Sequence, residues 1–200
     1  MITDLHKLGI KFFNKSGDDI PLTDFIPVFH DWIQNNRLDD LLIDVADYSH
    51  VPAGPGTMLI AHEGNYAIDE TGNQRGFIYY SKHEVPGDTV AQRLASVCYR
   101  NLSACKLLEE EERTKDRMSL DYGRMEIISN DRLHGPHTDE ALAEFKPQVE
   151  EFLNRLYPDS DYEIDYNDSD ARERLHAKVV IHNAADKADT LLARTRTDSL

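Results

Sequence analysis

Between residues 41 and 81 the chain carries no helical period. Three short apolar runs, Leu41 to Ala46, Thr57 to Ala61 and Gly76 to Ser81, follow one another with only turn residues or polar connections between them. A parallel βαβ sheet needs a long crossover, usually a helix, between successive strands, so this order points away from it and toward antiparallel neighbours. Leu41 to Ala46 is nearly all apolar and rich in branched residues, the pattern of a strand buried on both faces, and it is expected at the centre of the sheet. Asp47 to Gly56 holds two prolines and two glycines and cannot continue a ladder. Glu63 to Arg75 reads as a long polar connection.

Outside this stretch both periods occur. Leu8 to Phe13 alternates, with Leu8, Ile10 and Phe12 on one side, which predicts a strand. Phe25, Phe29, Trp32 and Ile33 follow the spacing of a helix capped by Thr23 or Asp24, with Pro27 in its first turn. The longest helix is expected from Asp88 to Glu112, where Ala91, Leu94, Cys98, Asn101, Cys105 and Leu108 share a face and Asn101 is the one polar interruption. Arg124 to Ser129 reads as a strand. Thr138 caps a helix with Leu142, Phe145, Val149, Phe152 and Leu156 on its buried side, and Pro147 predicts a kink or a break near Phe145 to Lys146. Tyr162, Ile164 and Tyr166, then Leu175, Ala177, Val179 and Ile181, alternate with polar residues as strands with one wet face. The expected fold is α+β: a mixed, mainly antiparallel sheet of about seven strands with three helices packed mostly on one face. Residues 1–183 form one expected domain, and residues 184–200 an end that is frayed or packed on a partner.

Charge narrows the function classes. Lys and Arg number 22 against 37 Asp and Glu, a formal charge of -15 spread along the whole length. Such a field repels phosphate backbones and anionic lipid, so neither nucleic acid nor a membrane surface is an expected partner. The first ten residues lack the apolar core of a signal peptide, and no stretch reaches the ~18 to 20 apolar residues needed to cross a bilayer. A soluble, cytoplasmic protein is expected. Cys98 and Cys105 lie about two helical turns apart, roughly 10 Å, too far for a disulfide, and are expected to be buried thiols.

Candidate chemistry concentrates in and after the first apolar run. With antiparallel neighbours, one end of the sheet carries Asp47, Tyr48 and His50, with His83 returning to it from the next hairpin. The opposite end carries His62, Glu63, Asn65, Tyr66, Asp69 and Arg75. The first set offers a general base, or a carboxylate and two imidazoles for a metal, although nine scattered histidines commit no metal site. In the second set His62 and Glu63 are the catalytic candidates as an acid-base pair under a polar lid, with Tyr66 and Arg75 as ligand contacts. The plain alternative for the first set is that two of the scattered histidines fall near an aspartate at a sheet edge without function, and for the second a solvated loop stem. His134 and His137 flank a tight turn that helps cap the following helix. Gly-x-Ser-x-Gly, Gly-x-Gly-x-x-Gly and His-Glu-x-x-His are all absent, and no cofactor follows from the sequence.

The stretch Leu41-Leu42-Ile43-Asp44-Val45-Ala46-Asp47-Tyr48, continuing through His50-Val51-Pro52, Gly54-Pro55-Gly56 and Ala61-His62-Glu63, resembles an uncharacterised bacterial protein family of unknown function. The resemblance transfers no catalytic residue, cofactor or substrate. Two functions follow as expectations: a small polar ligand bound at one end of the sheet, with acid-base or metal-assisted catalysis, or a homo-oligomeric interaction module using Trp32, the tyrosine-rich strands and the C-terminal segment.

Overall fold

The computed structural model describes residues 2–15, 19–52, 54–115, 117–166, 172–184 and 187–196. Among them the chain runs β1 (Leu8–Asn14), α1 (Phe25–Gln34), β2 (Leu42–Tyr48), β3 (Gly56–Ala61), β4 (Gly64–Asp69), β5 (Gly76–Ser81), α2 (Val90–Glu110), β6 (Leu120–Ser129), α3 (Asp139–Leu156), β7 (Tyr162–Asp165), β8 (His176–Ile181) and α4 (Ala188–Thr195). The eight strands form one sheet in the order β2-β3-β4-β5-β1-β6-β8-β7, and every neighbouring pair is antiparallel. The fold is α+β with eight strands and four helices, close to the expected seven and three.

Alternation assigns the two sides of the sheet. Leu8, Ile10 and Phe12 of β1 join Tyr66 and Ile68, Phe77 and Tyr79, and Ala177 and Val179 in the main core beneath the helices. Ala67, Ile78 and Ile128 form a small second cluster on the other side with Met58 and Tyr80. The helix α2 lies across the centre of the sheet, started by a capping box in which the Thr89 side chain accepts from the Gln92 amide. Its polar interruption has a structural reason. Asn101 is fully buried, and its Nδ2 donates to the Ile10 carbonyl at 2.8 Å, tying helix to central strand. Cys98 and Cys105 are free, buried thiols whose pKa values burial pushes up.

Four expectations change. Leu41 to Ala46 is not central: β2 is an edge strand, with Leu41 66% and Ile43 53% exposed and a bulge between Leu42 and Asp44. An apolar run reports affinity for burial, and here only Leu42 and, in part, Val45 turn toward the core. The polar connection from Glu63 to Arg75 contains β4, whose Tyr66 and Ile68 face the helices while Asn65, Ala67 and Asp69 face away. Pro147 does not break α3, which runs through it. Of the C-terminal segment, Ala188–Thr195 is helix α4, packed on α2 and α3 with Leu191 buried, while residues 185–186 and 197–200 lie outside the described residues.

Candidate functional site

The additional strand decides which residues meet. Each antiparallel strand reverses the chain, so inserting β4 moves every downstream connection to the opposite end of the sheet. The His62 amide donates to the Leu41 carbonyl and the Lys82 amide to the Glu63 carbonyl, each at 2.8 Å, which gathers Leu41, His62, Glu63, Lys82 and His83 at one end. His83 therefore lies beside His62, with ring centroids 5.2 Å apart, and not with Asp47 and His50 as the sequence suggested. At the other end the Glu70 amide donates to the Gly54 carbonyl, so the β2–β3 and β4–β5 connections adjoin. Arg75 is clamped there by Glu70 and by the Ile20 carbonyl. Roughly 17 Å of β4, at ~3.4 Å per residue, separates Asp69 and Arg75 from His62 and Glu63.

Beneath the His62 end the structure assembles a group that sequence reasoning missed. The helix α1 ends in a Schellman motif: Asn36 has a φ of 47°, its amide donates to Ile33, and the Arg37 amide donates to Trp32. The reversal tucks Leu38 into the core and carries Asp40 under α2. There its Oδ1 accepts from the Glu63 amide at 3.2 Å, while Oδ2 is buried with no hydrogen-bond partner and lies 3.6 Å from Arg100 Nη1. The Asp40 side chain is wholly shielded from solvent, and burial raises its pKa against the opposing pull of the Glu63 amide and Arg100. Arg100 sits one position before Asn101, on the flank of the buried stripe of α2, and donates to the Asp39 carbonyl at 3.2 Å.

Two buried phenols complete the group. Tyr66 and Tyr79 pack with ring centroids 4.7 Å apart, and burial pushes both hydroxyls above their ordinary value, so both stay protonated donors. Arg100 lies beside Tyr66, and its positive charge opposes the upward shift of that phenol. Above them opens a cavity of about 250 Å³ bordered by Arg37, Asp39, Tyr66, Tyr99, Arg100 and Ser103 among others. It can accept a small ligand whose polar end meets Arg100 and whose apolar part lies along Tyr66, Tyr99 and Leu38.

The expected site residues divide accordingly. His62 Nδ1 and Glu63 Oε1 are hydrogen-bonded at 2.9 Å but 57% and 40% exposed, and that bond holds the Glu63 pKa below its ordinary value. With Tyr66 and His83 they share one end of the sheet. Asp47, Tyr48 and His50 are all exposed on and beside the β2–β3 connection, where Asp47 accepts from the Ser49 amide at 2.8 Å and has its pKa lowered by Ser49. His134 Nδ1 bonds to Asp131 Oδ2 at 2.8 Å within its turn. No local signal marks Asp40 or Arg100, because each belongs to a segment that reads as an ordinary polar turn or helix flank.

Among the described residues no group of three His, Cys, Asp or Glu side chains is arranged to hold a metal ion, and no helix is long and apolar enough to cross a membrane. Comparison with protein-family models, with curated proteins and with solved structures finds no match to this chain.

Proposed function

We propose that the chain binds a small polar ligand in the cavity over Arg100, with Asp40 as the group that exchanges a proton or hydrogen bond with it. The observation that carries this reading is the buried, unpartnered Asp40 Oδ2 beside a half-buried arginine and two protonated phenols. A buried polar atom without a partner costs about 1–3 kcal/mol, and a perturbed acid directly behind Arg100, which does line the cavity, is the kind of group that clusters at functional sites. The cavity is smaller than the roughly 300–1,000 Å³ of drug-sized sites, which favours a ligand of few heavy atoms. His62, Glu63 and His83 stand at the solvent side of the same end and supply exposed acid-base groups. Calorimetric titration with a panel of small carboxylic acids and hydroxy acids tests the proposal. Binding that is lost in Arg100→Gln and weakened in Asp40→Asn supports it, and a panel that fails to bind, or binds both variants as tightly as the parent, sinks it.

A second reading, a homo-oligomeric interaction module, is favoured by one observation. Leu41, Ile43, Tyr48 and Val51, four large apolar side chains exposed by 40% or more, are spread along the β2 edge from one end of the sheet to the β2–β3 connection at the other. The contact surface would differ from the one expected, since Trp32, Tyr66 and Tyr79 are buried and α4 packs on its own chain. Asp44 Oδ1 accepts from the Val45 amide at 2.8 Å, occupying one backbone donor of the strand, so side-chain packing and not an extended ladder is the contact this edge offers. Sedimentation of the parent and of Ile43→Lys at micromolar concentration decides it: association abolished by the lysine supports the module, and a monomeric parent excludes it.

A further inference from the structure

The face of the sheet turned away from the helices is divided in two. Strand register lines up one row of outward side chains as Asp165, Lys178, Glu126 and Lys11, followed by Ile78, Ala67 and Met58. Charges of opposite sign alternate across four strands, an arrangement that favours pairing, and then give way to an apolar patch. The next row runs His176, Ile128, Gly9 and Tyr80. A Cβ on Gly9 would lie 2.5 Å from the Tyr80 ring, so the missing side chain is what lets Tyr80 lie flat across β1. Gly76 does the same for Lys11, whose Cε would be 2.7 Å from a Cβ there. Lys11 thus reaches along the sheet to Asp69 and is withdrawn from the row.

The result is a groove of about 510 Å³ over β6 and β8, floored by Ile128 and Tyr80 and walled by His176, by three carboxylates, Asp69, Glu126 and Glu173, and by three cations, Arg132, Arg174 and Lys178. The His176 side chain is 11% exposed, its Nδ1 faces Glu126 Oε1 at 3.8 Å, and its Nε2 is buried without a hydrogen-bond partner. The guanidinium bonds of the wall go to neutral oxygens: Arg174 to Asn130 Oδ1 at 2.7 Å and Arg132 to the Arg172 carbonyl at 2.6 Å. Burial, reinforced by Asp69, pushes the Tyr80 hydroxyl up to about 12, so it too is a donor, and the Arg174 charge beside it opposes that shift. In a chain of charge -15, this hollow is lined by as many cations as carboxylates, so the negative field of the rest of the molecule is locally cancelled.

We propose that this groove is a second ligand site, separate from the Arg100 cavity, for a small organic anion whose carboxylate or phosphate is gripped by Arg174, Arg132 and Lys178 and whose apolar body lies over Ile128 and Tyr80. His176 Nε2 meets the bound anion and gains the partner it lacks. Guanidinium forks match planar and tetrahedral oxyanions, and the aromatic floor selects against a bare inorganic ion.

The test is titration of the full chain with benzoate, phenyl phosphate and inorganic phosphate, following histidine side-chain resonances by NMR and identifying His176 from the signal missing in His176→Gln. The expected result is a saturable shift of the His176 signal with benzoate or phenyl phosphate, the tighter of the two naming the anion, and weaker binding of inorganic phosphate. Arg174→Gln and the exposed Lys178→Gln should each weaken binding about tenfold with an unchanged circular dichroism spectrum, whereas Arg100→Gln should leave it intact. No His176 shift at millimolar probe, or binding that survives both groove variants, overturns the proposal. Binding lost in Arg100→Gln alone would assign the anion to the other cavity and overturn it as well, while leaving the first site standing.

Discussion

Two ion pairs, each with a buried carboxylate, sit on opposite sides of the same sheet, and they are built to different standards. Lys11 Nζ donates to Asp69 Oδ2 and to the Gln74 carbonyl, each at 2.6 Å, and Asp69 also accepts from the Thr71 hydroxyl at 2.7 Å and its amide at 3.2 Å. Asp40 and Arg100 stand 3.6 Å apart with one carboxylate oxygen unpartnered. A pair with its neighbouring donors and acceptors in place holds the fold, because desolvation is offset by hydrogen bonds on both sides. A pair left open costs stability where it stands, and that is tolerable only where something else completes it.

Breaking each pair in turn sharpens this contrast. Lys11→Met should have the largest effect, about 3–5 kcal/mol by urea denaturation, since it strands Asp69 as a buried charge. The double variant Lys11→Met/Asp69→Leu should recover much of that loss, and failure to recover would mean that the cost lies in packing and not in charge. Arg100→Met should cost less, about 1–3 kcal/mol, because Arg100 is partly exposed and the shielded Asp40 carboxyl, its pKa already raised by burial, can keep its proton; a loss as large as that of Lys11→Met would erase the distinction between the two sites.

The smallest effect concerns pH. Burial raises the Asp40 pKa, so the folded chain holds that proton more tightly than the unfolded chain does. Its contribution to stability is complete below the ordinary carboxyl pKa of 3.8 and disappears as pH rises through the folded-state value. Asp40→Asn lacks this dependence. The stability of the parent minus that of the variant should therefore fall as pH rises from about 3 into the neutral range, measured by denaturation at each pH. A difference that grows with pH would mean that the carboxylate is stabilised in the fold.

Much of the fold was legible because period is a local property. Leu8, Ile10 and Phe12 marked a strand, and the stripe from Ala91 to Leu108 marked α2, with its core-facing side correct. The strand β4 was equally readable in the alternation of Tyr66 and Ile68, but the polar residues around it masked the signal. One missed reversal then sent His83 to the wrong end, although β2 and β3 are antiparallel as expected. Leu41 to Ala46 shows the limit of the apolar signal, which reads a preference and not a position.

The order of residues by itself determined the α+β class, the antiparallel pairing of the middle strands and the side of β8 that carries His176 and Lys178, since each follows from spacing along a few residues. Only the tertiary structure decided that Asp40 meets Arg100 and that Glu126, His176 and Arg174 share one hollow, because residues dozens of positions apart are brought together by strand order and helix placement. Those are set by how the whole core packs, and no short window of sequence contains that information.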